Sequence, residues 1–372
     1  MNKLNKPRIE EIETLRGFAF LAVVMQHSIA HYFPLPGAGL ADGVILGLIL
    51  LLSKFAVPLF VFITGLVLFY NYDGEVRYSL FVRKRFKDIV LPYLPWAIWY
   101  AIVFQHLNLT DAGSISKLAL LIVTGKASYH LWYIVMIVQF YLLFPLLQRV
   151  IRKWKPKGAS IAAAAVVVLG VLYVLLMQQW GILYQWALRL DVPVLSSFFT
   201  KYLDRNALMF FFYFALGAAA GLYLEQWRTW MLRYRYWIIG IYGIMLCGML
   251  FVVAAHFKLQ PTITIRYDDL SLLRPQMAVL LTLSVMATYI FAMNFSRNAP
   301  GSLRKIITIA GAYSYTAYLA HAYVLRYTER AADFLFPDGS ITLRTITAFL
   351  LCAAGALLLA FLLRKLSKRT GK

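Results

Sequence analysis

An all-α integral membrane protein, a bundle of about ten transmembrane helices with both termini in the cytoplasm, is the fold class this sequence predicts. Three observations carry the prediction. The chain of 372 residues is 61% hydrophobic and only 14% charged, with 26 Phe and 24 Tyr, far outside the range of a soluble globular domain. Apolar windows of roughly 20 residues, the length that crosses a bilayer at about 1.5 Å per residue, recur ten times with short polar breaks. Lys and Arg alternate by side: 25 fall in the segments on the side of the N-terminus and 11 on the other, the bias of the positive-inside rule.

In chain order the windows are 14–33, 45–70, 89–106, 128–148, 159–179, 205–224, 235–255, 276–294, 305–325 and 342–363. The first is not a cleaved signal, because Glu10, Glu11 and Glu13 precede it, Arg16 and His27 interrupt it, and no small-residue cleavage site follows. In the second, Pro58 loosens the helix, and Thr64 with Gly65 permits close backbone approach. The fifth opens on an alanine run at 162–165 that suits a helix. Among the outer connections, 107–127, 180–204 and 256–275 are the longest. The first of them holds SISKLALLIVTG, too short to cross and suited to lying at the interface. No linker, composition shift or low-complexity block divides the chain, so one domain over 1–372 is expected.

The net charge of +21 does not call for nucleic acid. Acidic residues divide as seven inside and nine outside, so nearly all the excess positive charge faces anionic inner-leaflet lipid or an anionic soluble ligand. Cys247 and Cys352 lie within predicted spans and have no metal-ligand spacing or disulfide framework around them.

Candidate chemistry starts in the first span. An ionisable group at membrane depth costs several kcal/mol unless it is paired or faces a polar cavity. Arg16 and His27 are eleven residues apart, which on a helix places them on one face about 16 Å apart along the axis. Arg16 can be read as a positive-inside anchor and His27 as a buried structural histidine, but the shared face favours function. His31, one turn further on, finds no third ligand at a recognisable spacing, so no metal is expected and it is assigned to the interface. Lys54 interrupts the second span, either snorkelling to the surface or contacting substrate. Arg83, Lys84, Arg85 and Lys87 cluster after that span as a lipid-facing topology signal or as a site for a phosphorylated ligand. His130 and Trp132 mark the outer end of the fourth span, where aromatic belts are common anyway. Ser314, Tyr318 and His321 lie within one stripe of the ninth. His27, His321 and His130 could thus face one polar cavity. No span has Asp or Glu in its middle, which weakens a proton-coupled transporter without excluding it.

Taken together, these segments resemble the bacterial acyltransferase-3 family of polytopic membrane O-acyltransferases. The resemblance runs through LRGFAFLAVVMQH with Arg16 and His27, VPLFVFITG, the basic run before LPY, the HLWY of the fourth span and the SYTAYLAH of the ninth. It covers essentially all ten spans in order and is closest to the form without a periplasmic domain. It implies a cell-membrane enzyme that moves an acyl group, commonly acetyl, from cytoplasmic acyl-CoA to hydroxyls of envelope or exopolysaccharide glycans. It further implies His27 as base, Arg16, Arg83, Lys84, Arg85 and Lys87 towards the donor phosphates, and Ser314, Tyr318, His321, Trp132, His130 and Lys54 towards the acceptor. Two positions depart from the family pattern. Asp88 stands where a second arginine is frequent, so Lys84 or Lys87 would serve as point charges, and Thr64 stands where serine is common. The rival from another class is an exporter or flippase of polysaccharide or lipid-linked sugar; a non-catalytic membrane subunit would leave the histidine face unexplained.

Overall fold

A computed structural model of the chain describes residues 6–32, 38–153, 158–257, 267 and 270–370, and all the regular structure among them is helical. Sixteen α-helices follow in order: α1 Glu11–Tyr32, α2 Leu40–Ser53, α3 Ala56–Asn71, α4 Tyr78–Arg85, α5 Leu91–Val103, α6 Ser114–Thr124, α7 Trp132–Lys153, α8 Ala159–Gln178, α9 Trp180–Leu188, α10 Pro193–Phe199, α11 Phe211–Leu222, α12 Leu224–Arg233, α13 Arg235–Ala255, α14 Pro275–Asn298, α15 Gly301–Leu335 and α16 Ile341–Thr370. Each of the ten predicted windows falls mainly on helix. Among the described residues, however, six helices are long and apolar enough to cross a membrane, counting α2 with α3 as one of 32 residues, or seven if the bent pair Ala207–Leu222 and Leu224–Arg233 is one span. The shortfall has a physical source: α1 and α15 carry charged and polar side chains along their length, and α5 has only 13 residues. The connection 256–275 lies mostly outside the described residues.

The chain groups into two compact units, Met1–Lys6 with Val61–Trp227, and Pro7–Phe60 with Arg228–Lys372. We call them the middle unit and the terminal unit.

In the terminal unit α1 packs along α15, α15 along α16, and α13 against α14 and α2. Glycine sets the first of these crossings. A Cβ on Gly17 would lie 2.5 Å from the Ile307 carbonyl oxygen, and one on Gly311 would overlap the Glu13 carbonyl, so the two backbones touch as small residues in membrane helices allow. Gly17 meets Gly311 and, ten residues on, His27 meets His321, so α1 and α15 run in the same direction in register. The start of α1 is fixed separately. Glu11, 4% exposed, accepts from Arg228 Nε at 2.9 Å, Arg228 Nη2 at 2.8 Å and the Tyr289 hydroxyl at 2.5 Å, and Thr14 pairs with Ser296 at 3.0 Å.

The middle unit has its own close crossing. Cβ atoms on Gly65, Gly217 and Gly221 would overlap the carbonyls of Phe214, Phe62 and Leu66, which brings α3 and α11 into backbone contact, as the Thr64–Gly65 step suggested. Rings fill the space beside it: Phe140 stacks on Phe214 at 4.6 Å and Phe69 meets Phe144 edge-on at 5.2 Å. Between α4 and α5 the chain makes a π turn over Phe86–Val90. Pro92 and Pro95 offer no N–H to the carbonyls four residues back, and the ladder upstream widens to i→i+5, with Leu91 N–H on the Phe86 carbonyl. The SISKLALLIVT stretch is the short amphipathic helix α6, ended by Gly125 at φ +66°, where a side chain would also strike the backbone of Trp132.

Candidate functional site

Each unit holds half of the candidate residues. In the terminal unit the parallel run of α1 and α15 brings two histidines together. The rings of His27 and His321 stack with centroids 5.3 Å apart and planes at 27°. His321 is fully buried, whereas His27 keeps part of its surface accessible. His321 Nδ1 lies 2.6 Å from the Tyr318 carbonyl oxygen. A carbonyl only accepts, so Nδ1 carries the proton and the neutral ring keeps its lone pair on Nε2. The Tyr318 ring packs on the same imidazole at 5.5 Å, and Cys352 Sγ donates to the His321 carbonyl at 3.4 Å. Ser314 and Tyr318 are buried on the same helix.

Arg16 lies on the α1 face that His27 occupies, with 36% of its side chain exposed. Its one ion-pair contact among the described residues is Glu13 Oε1 at 3.5 Å, an oxygen that Arg8 holds more closely at 2.7 Å. Lys54 occupies the break between α2 and α3. The neighbouring Ser53 carbonyl accepts from Gln26 Nε2 at 2.8 Å, and Gln26 adjoins His27.

One turn past His27 is a polar group that sequence reasoning missed. His31 Nδ1 is 3.3 Å from Glu329 Oε2, the Tyr32 hydroxyl is 3.0 Å from both the Glu329 carbonyl and Asp333 Oδ1, and Arg344 stands 3.6 Å from Asp333. His31 thus touches a carboxyl group as well as the surface. No group of three metal-ligating side chains occurs among the described residues.

The middle unit holds the basic run. Arg83, Lys84 and Lys87 are exposed, as is Asp88. Arg85 is different: its guanidinium lies 5.3 Å from the Phe81 ring, 5.3 Å from Tyr141 and 5.9 Å from Tyr72, and it donates to the Tyr72 hydroxyl at 3.3 Å. Aromatic faces hold a cation this way without neutralising it. His130 is 1% exposed, with Nδ1 3.1 Å from Ser128 Oγ and its ring edge-on to Tyr100, while Trp132 is half-buried against Phe210.

With this geometry in place, comparison with known proteins adds three findings. A family model described as an acyltransferase domain matches residues 9–365. A Bacillus subtilis protein, YfiQ, provisionally named a membrane-bound acyltransferase, is 24% identical over 376 residues, covering 96% of this chain and 92% of that protein. No solved structure matches the chain.

Proposed function

The chain belongs to that acyltransferase family, and from this premise we propose that it is an O-acyltransferase of the cytoplasmic membrane. In this proposal it crosses about ten times with both termini inside, as one functional domain, and moves an acyl group, preferably acetyl, from cytoplasmic acyl-CoA to a hydroxyl of an envelope or exopolysaccharide glycan.

The observation that supports it best is the stacked His27–His321 pair, held in register by a glycine-closed crossing. His27 takes the proton of the acceptor hydroxyl as its oxygen adds to the acyl carbon, and returns that proton to the departing thiol. His321, its Nδ1–H committed to the Tyr318 carbonyl, holds the His27 ring in place. Ser314, Tyr318, His130 and Trp132 are assigned to the acceptor. Arg83, Lys84 and Lys87 are exposed cations suited to the donor phosphates, and Arg85 joins them as a charge oriented by aromatic rings. Arg16 is likewise assigned to the donor. Polysaccharide export, the rival reading, gains no support from a full-length match to an acyltransferase family.

Replacing His27 tests the proposal. His27→Ala and His27→Gln should lower acyl transfer by roughly 10²–10⁴, as loss of a general base does, while the melting curve and acyl-CoA binding stay near those of the unmodified protein. Full turnover by a well-folded His27→Ala protein would sink it.

A further inference from the structure

Lys54 is the one candidate residue whose position rules out the bland reading. It caps α2 after 14 residues and precedes α3 of 16 residues, within a mainly apolar helical run of 32. At 1.5 Å per residue that run measures about 48 Å, longer than a hydrocarbon core of about 30 Å; with the run centred on the core, Lys54 lies about 13 Å below the nearer face. A lysine stem reaches only roughly 6 Å, so the ammonium cannot snorkel to either surface. No carboxylate lies within ion-pair distance of it among the described residues. A lone cation at that depth is costly to maintain, which marks it as functional.

Its neighbours show where it acts. The Gln26 side chain donates to the Ser53 carbonyl at 2.8 Å, tying the residue before Lys54 to the residue before His27 and so joining the α2–α3 break to the stretch of α1 that carries the base. A cation held there has a use when negative charge forms as the base takes its proton.

We propose that Lys54 supplies the positive charge that balances the oxyanion formed when the acceptor hydroxyl adds to the acyl carbonyl. The inference rests on the acyl-transfer reading above, and it names a catalytic group for that site. The step balances. The hydroxyl proton passes to His27, the oxygen lone pair forms the new C–O bond, and the carbonyl π electrons move onto the oxygen facing Lys54 Nζ. As those electrons return, the C–S bond breaks and the thiolate takes the proton from His27. Lys54 keeps its own proton throughout and acts as a preorganised charge.

The experiment uses full-length protein in detergent, acetyl-CoA as donor, and envelope glycan stripped of its acetyl esters by mild base as acceptor. Lys54→Met should reduce kcat by about 10²–10³, the range for removing an oxyanion donor, with both KM values within about threefold and an unchanged melting curve. Lys54→Arg should recover part of the loss. The same assays repeated with glycan whose carboxyl groups have been reduced should give the same loss. A Lys54→Met protein with near-normal kcat overturns the proposal, and so does activity lost only in proportion to unfolded protein, with Lys54→Gln as the check. A defect that vanishes on the carboxyl-reduced glycan overturns it too, by assigning Lys54 to an acidic acceptor. Failure of unmodified protein to transfer acetyl at all would instead reject the acyl-transfer reading itself.

Discussion

The α1–α15 crossing of the terminal unit and the α3–α11 crossing of the middle unit are both closed by glycines that leave no room for a Cβ. Further along they differ. Ten residues beyond Gly17 and Gly311 stand His27 and His321, whereas the second crossing continues into the Phe69, Phe140, Phe144 and Phe214 rings. The terminal seam is also pinned at its start by the buried Glu11 carboxylate and the half-buried Arg228 that holds it. Close backbone approach is therefore a packing device shared by the two crossings, and the side chains threaded along each seam distinguish the candidate site from plain packing.

The most damaging way to break the contrast is to release that pin. Glu11→Ala takes the carboxylate away from the half-buried Arg228 guanidinium and from the Tyr289 hydroxyl, and should cost about 1.5–3 kcal/mol, read as a drop in melting temperature. Glu11→Gln, which still accepts from Tyr289, should cost less. If Glu11→Ala melts like the unmodified protein, the pin is not what fixes α1.

The glycines themselves give the sharpest test. Gly17→Ala and Gly65→Ala each force a backbone shift, and each should destabilise by about 1–3 kcal/mol. Only Gly17→Ala should also misplace His27 against His321, and a displacement of about 1 Å costs on the order of 10² in rate. Transfer assays normalised to folded protein separate the two, and equal losses at both sites would erase the distinction between a catalytic seam and a packing seam.

The smallest effect belongs to the Lys6–Asp73 pair of the middle unit, 2.9 Å apart with Asp73 half exposed. The hydrogen bond from Lys6 holds the Asp73 carboxyl below the usual carboxylate range. A depressed carboxylate contributes stability at neutral pH that is lost as pH falls through its lowered value. Solvent limits that contribution to under about 1 kcal/mol. Asp73→Asn should shift the neutral-pH melting curve slightly and remove this small acid-side slope.

Much of this organisation is legible in the sequence, for identifiable reasons. The eleven-residue spacing of Arg16 and His27 places them on one face of a continuous helix, and α1 is continuous. Gly65 was readable as a point of close approach because only glycine removes the Cβ, and SISKLALLIVT because its length and amphipathic pattern suit a surface helix. The limits are equally physical. Hydropathy reports where apolar side chains stop, so it ended the ninth span at 325, while α15 runs on to Leu335 and carries Glu329 and Asp333. Extending the helical period by two turns would have exposed that i, i+4 acidic pair. The aromatic setting of Arg85 joins Tyr72, Phe81 and Tyr141 across three segments, which no local pattern encodes.

The 35 residues of α15 have a mechanical consequence. A rod of that length measures about 52 Å, against a hydrocarbon thickness of about 30 Å. Even inclined by about 40° it would rise roughly 40 Å, so part of it must stand clear of the lipid tails. Under the proposed topology, the angle at which α15 settles sets the depth of His321 below the headgroups. Lipid chain length then becomes a tuning variable, and reconstitution into thinner or thicker bilayers should alter turnover without any change to a residue.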